Sequence, residues 1–250
     1  MADELLSLRV IVVSQSPNDH EMFRKAAAAS RVPIELVETD SEAPASRPLA
    51  AGADLAFFDV DLGGEAVGRM ASAARAVANP PFTVSLCAPD GSASFPTDGL
   101  ACKPSELEEA CRLLASAIRV RLRSRVLLVD DSPTMRTIVR KVLLATRFPI
   151  EVTEANEARQ ALALAREAEF DLVFFDYNMP GLSGLEAIAE LRRAQRYPTF
   201  VLMTSADDEA LAEKARVQGI AFLKKPFFPA DLALVLCRFY GLRALNPQRV

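Results

Sequence analysis

The chain states one short phrase twice. Residues 54–59 read DLAFFD and residues 171–176 read DLVFFD. A repeat spaced by nearly half the chain constrains the fold strongly, because each copy must complete the same supersecondary plan within a small domain. Three further anchors extend the match. RVIVVSQSP (9–17) aligns with RVLLVDDSP (125–133), VSLCA (84–88) with VLMTS (201–205), and ACKP (101–104) with LKKP (223–226). The offset is near-constant until the last pair, so the first copy is shorter between its final two strands.

In the second copy, apolar runs of strand length occupy 126–129, 172–175, 200–203 and 221–223, and 150–153 alternates like an edge strand. Helical periods fill 134–145, 158–168, 184–193, 209–218 and 230–239, the last behind Pro229, a residue suited to a helix start. Strands apolar on both faces, alternating with helices, predict α/β architecture: two tandem (βα)5 domains, each a doubly wound parallel sheet. The first copy is expected to carry damage. Pro44 and Pro48 fall in its second helix region (41–49), and 88–99 (APDGSASFPTDG) lacks helical periodicity, which predicts a short or melted fourth helix.

The boundary falls near 123–125, giving domains at 7–122 and 124–245. Before it, 105–120 predicts a helix with Leu107, Cys111, Leu114 and Ile118 on one face and a Ser105–Glu108 capping box. It runs into the next strand without a Gly/Ser/Pro-rich linker, so a fixed domain arrangement is expected. Arginines 119, 121, 123 and 125 read as a solvated helix end.

Composition narrows the chemistry. A net charge of −4 gives no electrostatic case for nucleic acid. The start has no long apolar core and no run approaches a membrane span, so a cytoplasmic, non-membrane protein is expected. Four irregularly spaced cysteines form neither a disulfide framework nor a zinc pattern. One histidine, His20, argues against a His base or a three-His metal site and is expected on the surface of the first helix.

In such a sheet, ligands gather at the carboxyl ends of the strands. The second copy places there Asp130 and Asp131 (first strand), Asp176 (third), Thr204 (fourth) and Lys225 (fifth). Two carboxylates about 4 Å apart repel by roughly 4 kcal/mol at an effective dielectric near 20. Three together call for a cation, and oxygen-only donors favour Mg²⁺. A divalent ion beside a carboxylate, a lysine and a hydroxyl is equipment for phosphoryl transfer.

These motifs, VLLVDDSPTMR, FFDYNMPGLSG, MTS and KKPF, make residues 124–245 resemble the receiver domain of two-component response regulators, near the single-domain chemotaxis type. The resemblance implies a flavodoxin-like sheet of order 2-1-3-4-5. It implies that Asp176 is the phosphoacceptor, with Mg²⁺ held by Asp130, Asp131, Asp176 and the Asn178 backbone carbonyl. Thr204 and Lys225 would bind the phosphoryl group, Phe222 would be the switch aromatic, and Asn178 and Ala206 would tune its lifetime. Lys224 is not the site lysine, because Lys225 directly precedes Pro226. The expected donor is a histidine kinase or histidine phosphotransfer protein, and the expected output is contact with a downstream protein target. A homodimer is possible within the family. Only NPQRV follows Leu245, so no DNA-binding or enzymatic effector is expected, and the only reaction expected is self-dephosphorylation.

In the first copy, Ser14 and Gln15 replace the acid pair and Cys87 replaces the threonine, while Asp59 and Lys103 survive. That pattern predicts a degenerate pseudo-receiver with a fixed Asp59–Lys103 ion pair, used for binding, dimerisation or regulation. Asp61 is an extra carboxylate that could partly restore a metal site. Cys87 and Cys102 read as buried small residues in preference to a redox pair. Two other classes stay open: a non-phosphorylated scaffold, and a haloacid-dehalogenase-like phosphatase using Asp59 in DVDLGG.

Overall fold

The computed structural model describes residues 7–88, 97–194, 198–205 and 209–243. These form two compact units, one of residues 7–121 with 240–243 and one of residues 122–239.

Unit 1 runs β1 (Leu8–Val13), α1 (Pro17–Ala29), β2 (Ile34–Thr39), α2 (Glu42–Ala50), β3 (Leu55–Asp59), α3 (Gly64–Arg75), β4 (Phe82–Cys87), β5 (Gly99–Cys102) and α4 (Leu107–Arg119). Its sheet is parallel, in the order β2-β1-β3-β4-β5. Unit 2 runs β6 (Ser124–Val129), α5 (Pro133–Leu144), β7 (Ile150–Ala155), α6 (Ala158–Glu167), β8 (Leu172–Asp176), α7 (Gly184–Ala194), β9 (Thr199–Thr204), α8 (Glu209–Val217), β10 (Ala221–Lys224) and α9 (Pro229–Phe239). Its order, β7-β6-β8-β9-β10, is the same topology. Each is a flavodoxin-like 2-1-3-4-5 sheet.

The doubled phrase owes its form to this plan. The first Asp of each copy ties β1 to β3, or β6 to β8, at their starts. Asp54 accepts from the Arg9 amide at 2.9 Å, and Asp171 from the Arg125 amide at 2.8 Å. The paired phenylalanines, Phe57–Phe58 and Phe174–Phe175, are fully buried on opposite faces of the central strand, as residues adjacent in a strand must be. The last Asp emerges at the carboxyl edge. The edge strands β2 and β7 are only partly buried, which accounts for the alternation read at 150–153.

Three local expectations are corrected. The 41–49 region is helical despite its prolines: Pro44 lies in the first turn of α2, where amides lack intrahelical partners. Pro48 removes one bond, but the Ala51 amide still reaches the Arg47 carbonyl at 2.9 Å. Next, α4 starts at Leu107, and Ser105 pairs with Glu109 through both amide (2.8 Å) and hydroxyl (2.9 Å), not with Glu108. Its buried stripe is Ala110, Leu113, Leu114, Ala117 and Ile118, leaving Leu107 exposed and Cys111 half-buried. Finally, His20 is half-buried on α1, with its Nε2 atom out of contact with water. Most of the 88–99 segment lies outside the described residues.

After α9 the chain returns to unit 1. Arg243 and Leu100 exchange backbone hydrogen bonds of 3.1 and 2.7 Å, adding an antiparallel bridge to β5. Tyr240 is fully buried and Leu242 nearly so.

Candidate functional site

The site of unit 2 is assembled by strand ends. Asp130 follows β6, Asp176 closes β8, Thr204 closes β9 and Lys225 follows β10. Oxygens of Asp130, Asp131 and Asp176 lie within 4.8 Å of one another. Asp131 is exposed, whereas Asp130 and Thr204 are fully buried and Asp176 is 5% exposed.

Hydrogen bonds fix each group. Asp130 Oδ1 accepts from the Ser132 amide at 2.9 Å, and Oδ2 meets Lys225 Nζ at 2.7 Å. Ser132 also N-caps α5 by accepting from the Met135 amide. Lys225 Nζ reaches Asp176 Oδ1 at 3.1 Å, and its amide donates to the Thr204 carbonyl at 2.7 Å. The Asn178 amide donates to the Asp176 carboxylate. Burial raises the Asp176 pKa above its ordinary value; Lys225 opposes this and Asp130 adds to it. Gly184, opening α7, passes so close to Asp176 that a Cβ there would lie 2.7 Å from the Asp176 carbonyl oxygen. Phe222 is half-buried and packs against the core of unit 2. Ala206 lies outside the described residues.

Arg136 was not singled out from the sequence. Its Nη1 donates to the Asp130 carbonyl at 2.7 Å and its Nε pairs with Glu154 at 3.2 Å, bracing the acidic loop from α5. The signal was an arginine one turn into the helix behind the acid pair.

Three carboxylates against one ammonium leave the pocket net negative. The donors are all oxygens, the set a hard divalent cation takes. The residues therefore fit Mg²⁺, which Asp130, Asp131 and Asp176 would hold.

Unit 1 keeps the frame but carries Ser14 and Gln15 where unit 2 has its acid pair. Ser14 stands at the Asp130 position, and its hydroxyl accepts from the Ser16 amide at 3.1 Å, reproducing the turn bond made by Asp130. Ser14 Oγ lies 2.8 Å from Asp59 Oδ2. Lys103 pairs with Asp59 at 2.6 Å, as expected, and also with Asp61. Burial lowers the Lys103 pKa, but bonds to Asp59 and Asp61 outweigh it and the net shift is upward. Lys103 is thus shared between two carboxylates, Asp59 and Asp61. Asp19, from the first turn of α1, was missed: it is 4% exposed and its Oδ2 lies 2.7 Å from Ser14 Oγ. Gln15 is exposed and Cys87 is buried as expected, but Cys102, the last residue of β5, is exposed and corrects the expectation that both cysteines are buried. Asp59 ends the third strand of its sheet, not a first strand.

Comparison with known proteins agrees with this geometry. Residues 126–236 match the family model described as response regulator receiver domain. Chemotaxis protein CheY-3 of Vibrio cholerae is 32% identical over 111 residues, covering 43% of this chain and 85% of that protein. Transcriptional regulatory protein ResD of Bacillus subtilis is 31% identical over 116 residues, covering 44% of this chain and 45% of ResD. A solved structure described as a probable two-component system response regulator/GGDEF domain protein shares the fold across 94% of this chain and 98% of its own, with TM-score 0.59 and 23% identity. Strand-end acids, topology and relatives converge: the chain belongs to the two-component response regulators, with two receiver folds in tandem.

Proposed function

We propose that unit 2 is the phosphorylatable receiver of a phosphorelay and that Asp176 is its acceptor. The observation carrying this reading is the convergence of Asp130, Asp131, Asp176, Thr204 and Lys225 on one sheet edge, with Lys225 bonded to both Asp130 and Asp176. A carboxylate oxygen of Asp176 attacks the phosphorus of a phosphohistidine; the P–N bond breaks and the imidazole leaves. The donor is a histidine kinase or histidine phosphotransfer protein. Asp130, Asp131 and Asp176 would hold Mg²⁺, which would supply charge neutralisation for the transferring oxygens. Lys225 offers its ammonium to one of them and Thr204 its hydroxyl to another.

The product carries about −1.5 to −2 charge where Asp176 carried one, and this draws Lys225 and Thr204 toward it. Because Thr204 and Lys224 pair across β9 and β10, movement of Thr204 is passed to the strand that carries Phe222. Unit 1 is read as a pseudo-receiver: Ser14 replaces an acid and Lys103 is engaged by Asp59 and Asp61. The protein is read as a non-enzymatic switch that acts through contact with a downstream protein. A test incubates the full chain with Mg²⁺ and phosphoramidate. Phosphate uptake by the parent and none by Asp176→Asn supports the assignment; equal uptake by both defeats it.

A further inference from the structure

The degenerate site of unit 1 has lost its phosphate chemistry, but two sulfurs stand at the same strand ends. Cys87 closes β4 at the position Thr204 holds in β9, and Cys102 closes β5 at the position of Lys224. They are direct register partners on neighbouring parallel strands. Cys87 is 1% exposed, whereas Cys102 faces solvent. Within unit 1, one nitrogen, Arg243 Nη1, lies 3.5 Å from Cys102 Sγ and 3.8 Å from Cys87 Sγ. Contact with a single nitrogen puts both sulfurs on one side of the sheet. Arg243 is itself fixed by its two backbone bonds to Leu100, two residues before Cys102.

We propose that Cys87 and Cys102 form a dithiol oxidation site, closed by a hydroperoxide to an intramolecular disulfide. The exposed Cys102 sulfur attacks the peroxide; the O–O bond breaks, the outer oxygen leaves with a proton as water or alcohol, and Cys102 becomes a sulfenic acid. The Cys87 sulfur then attacks Cys102 sulfur, the S–O bond breaks, and hydroxide leaves with the Cys87 proton as water. Two thiols are oxidised by two electrons and one hydroperoxide is reduced by two.

The backbone permits the bond. Neighbouring strands lie about 4.8 Å apart, inside the roughly 4.4–6.8 Å Cα separation of disulfides. The Cβ atoms must draw in to about 3.8 Å, an adjustment made at the ends of two strands, one of them outermost in its sheet among the sheet's members. Burial of Cys87 divides the roles: it is screened from peroxide and placed to resolve its partner. Cys111, on α4, and Cys237, on α9, have no such cysteine partner in strand register and serve as internal controls. The site gives unit 1 an input independent of phosphate.

The test treats the reduced full chain with hydrogen peroxide at increasing ratios and maps its peptides without reductant. The expected result is a Cys87–Cys102 bridge and the loss of two thiols before Cys111 or Cys237 changes. In Cys87→Thr, which installs the residue of the equivalent Thr204 position, Cys102 should accumulate as sulfenic acid trapped by dimedone. Oxidation spread evenly over the four cysteines overturns the proposal. So does a Cys102–Cys102 bridge between chains with Cys87 still reduced, or absence of the bridge at peroxide levels that oxidise Cys111.

Discussion

Lys225 Nζ sits 3.1 Å from Asp176 Oδ1 and 2.7 Å from Asp130 Oδ2, so one ammonium serves two buried carboxylates. Its removal leaves both acids without that partner. Lys225→Ala should destabilise unit 2 by about 3 kcal/mol in chelator, the scale expected when one member of a buried ion pair is lost. Adding Mg²⁺ should recover part of the loss. Chemical denaturation with and without Mg²⁺ checks both effects; an unchanged midpoint in chelator contradicts the assigned role.

The acid cluster makes a second expectation. A cation bound only by the folded unit stabilises by mass action, about 2.7 kcal/mol at one hundred times its dissociation constant. Mg²⁺ should therefore raise the unfolding midpoint of unit 2, and Asp130→Asn or Asp131→Asn should abolish most of the rise. Hydrogen exchange resolved by peptide should show the gain in β6 and β8 and none in β1 or β3, where Ser14 and Gln15 replace the acids.

pH dependence follows from Asp176. Its folded pKa is raised above the ordinary value of 3.8, chiefly by burial. The folded state therefore holds that proton more tightly than the unfolded chain. The resulting stabilisation is complete below the unfolded pKa and is lost as pH rises through the raised folded pKa. In chelator at neutral pH, Asp176→Asn should melt higher than the parent, and the gap should close on acidification toward the unfolded value. A melting series across that range checks the sign.

The C-terminal return gives a fourth expectation. Tyr240, which groups with unit 1, is fully buried and precedes the Arg243–Leu100 bridge. Tyr240→Ala should cost unit 1 about 3 kcal/mol, as for other large-to-small aromatic truncations. Faster exchange of the β5 amides, with β10 unchanged, would locate the loss.

Much of the architecture was legible because strand-end position is a property of sequence order. Asp130, Asp176, Thr204 and Lys225 each lie at the carboxyl end of an apolar run, and a parallel sheet must bring such ends to one edge. Asp19 was not legible. It is a first-turn helix residue like many others, and only the three-dimensional path of α1 brings it to Ser14. Arg243 was hidden for a related reason: its bridge to Leu100 joins residues far apart in sequence, with no periodicity to announce it. Leu107 and Cys111 misled because a three-to-four spacing fits two adjacent stripes of α4, and packing chose the one through Ala110 and Leu113.

Asp176 is proposed as the one efficient phosphoacceptor of the chain. The most direct measurement loads the full chain from acetyl phosphate with Mg²⁺, reduces the acyl phosphate with borohydride and maps the modified aspartate by mass spectrometry. Modification is expected at Asp176, abolished by Asp176→Ala and unaffected by Asp59→Ala. Modification at Asp59, or undiminished uptake in Asp176→Ala, would contradict it.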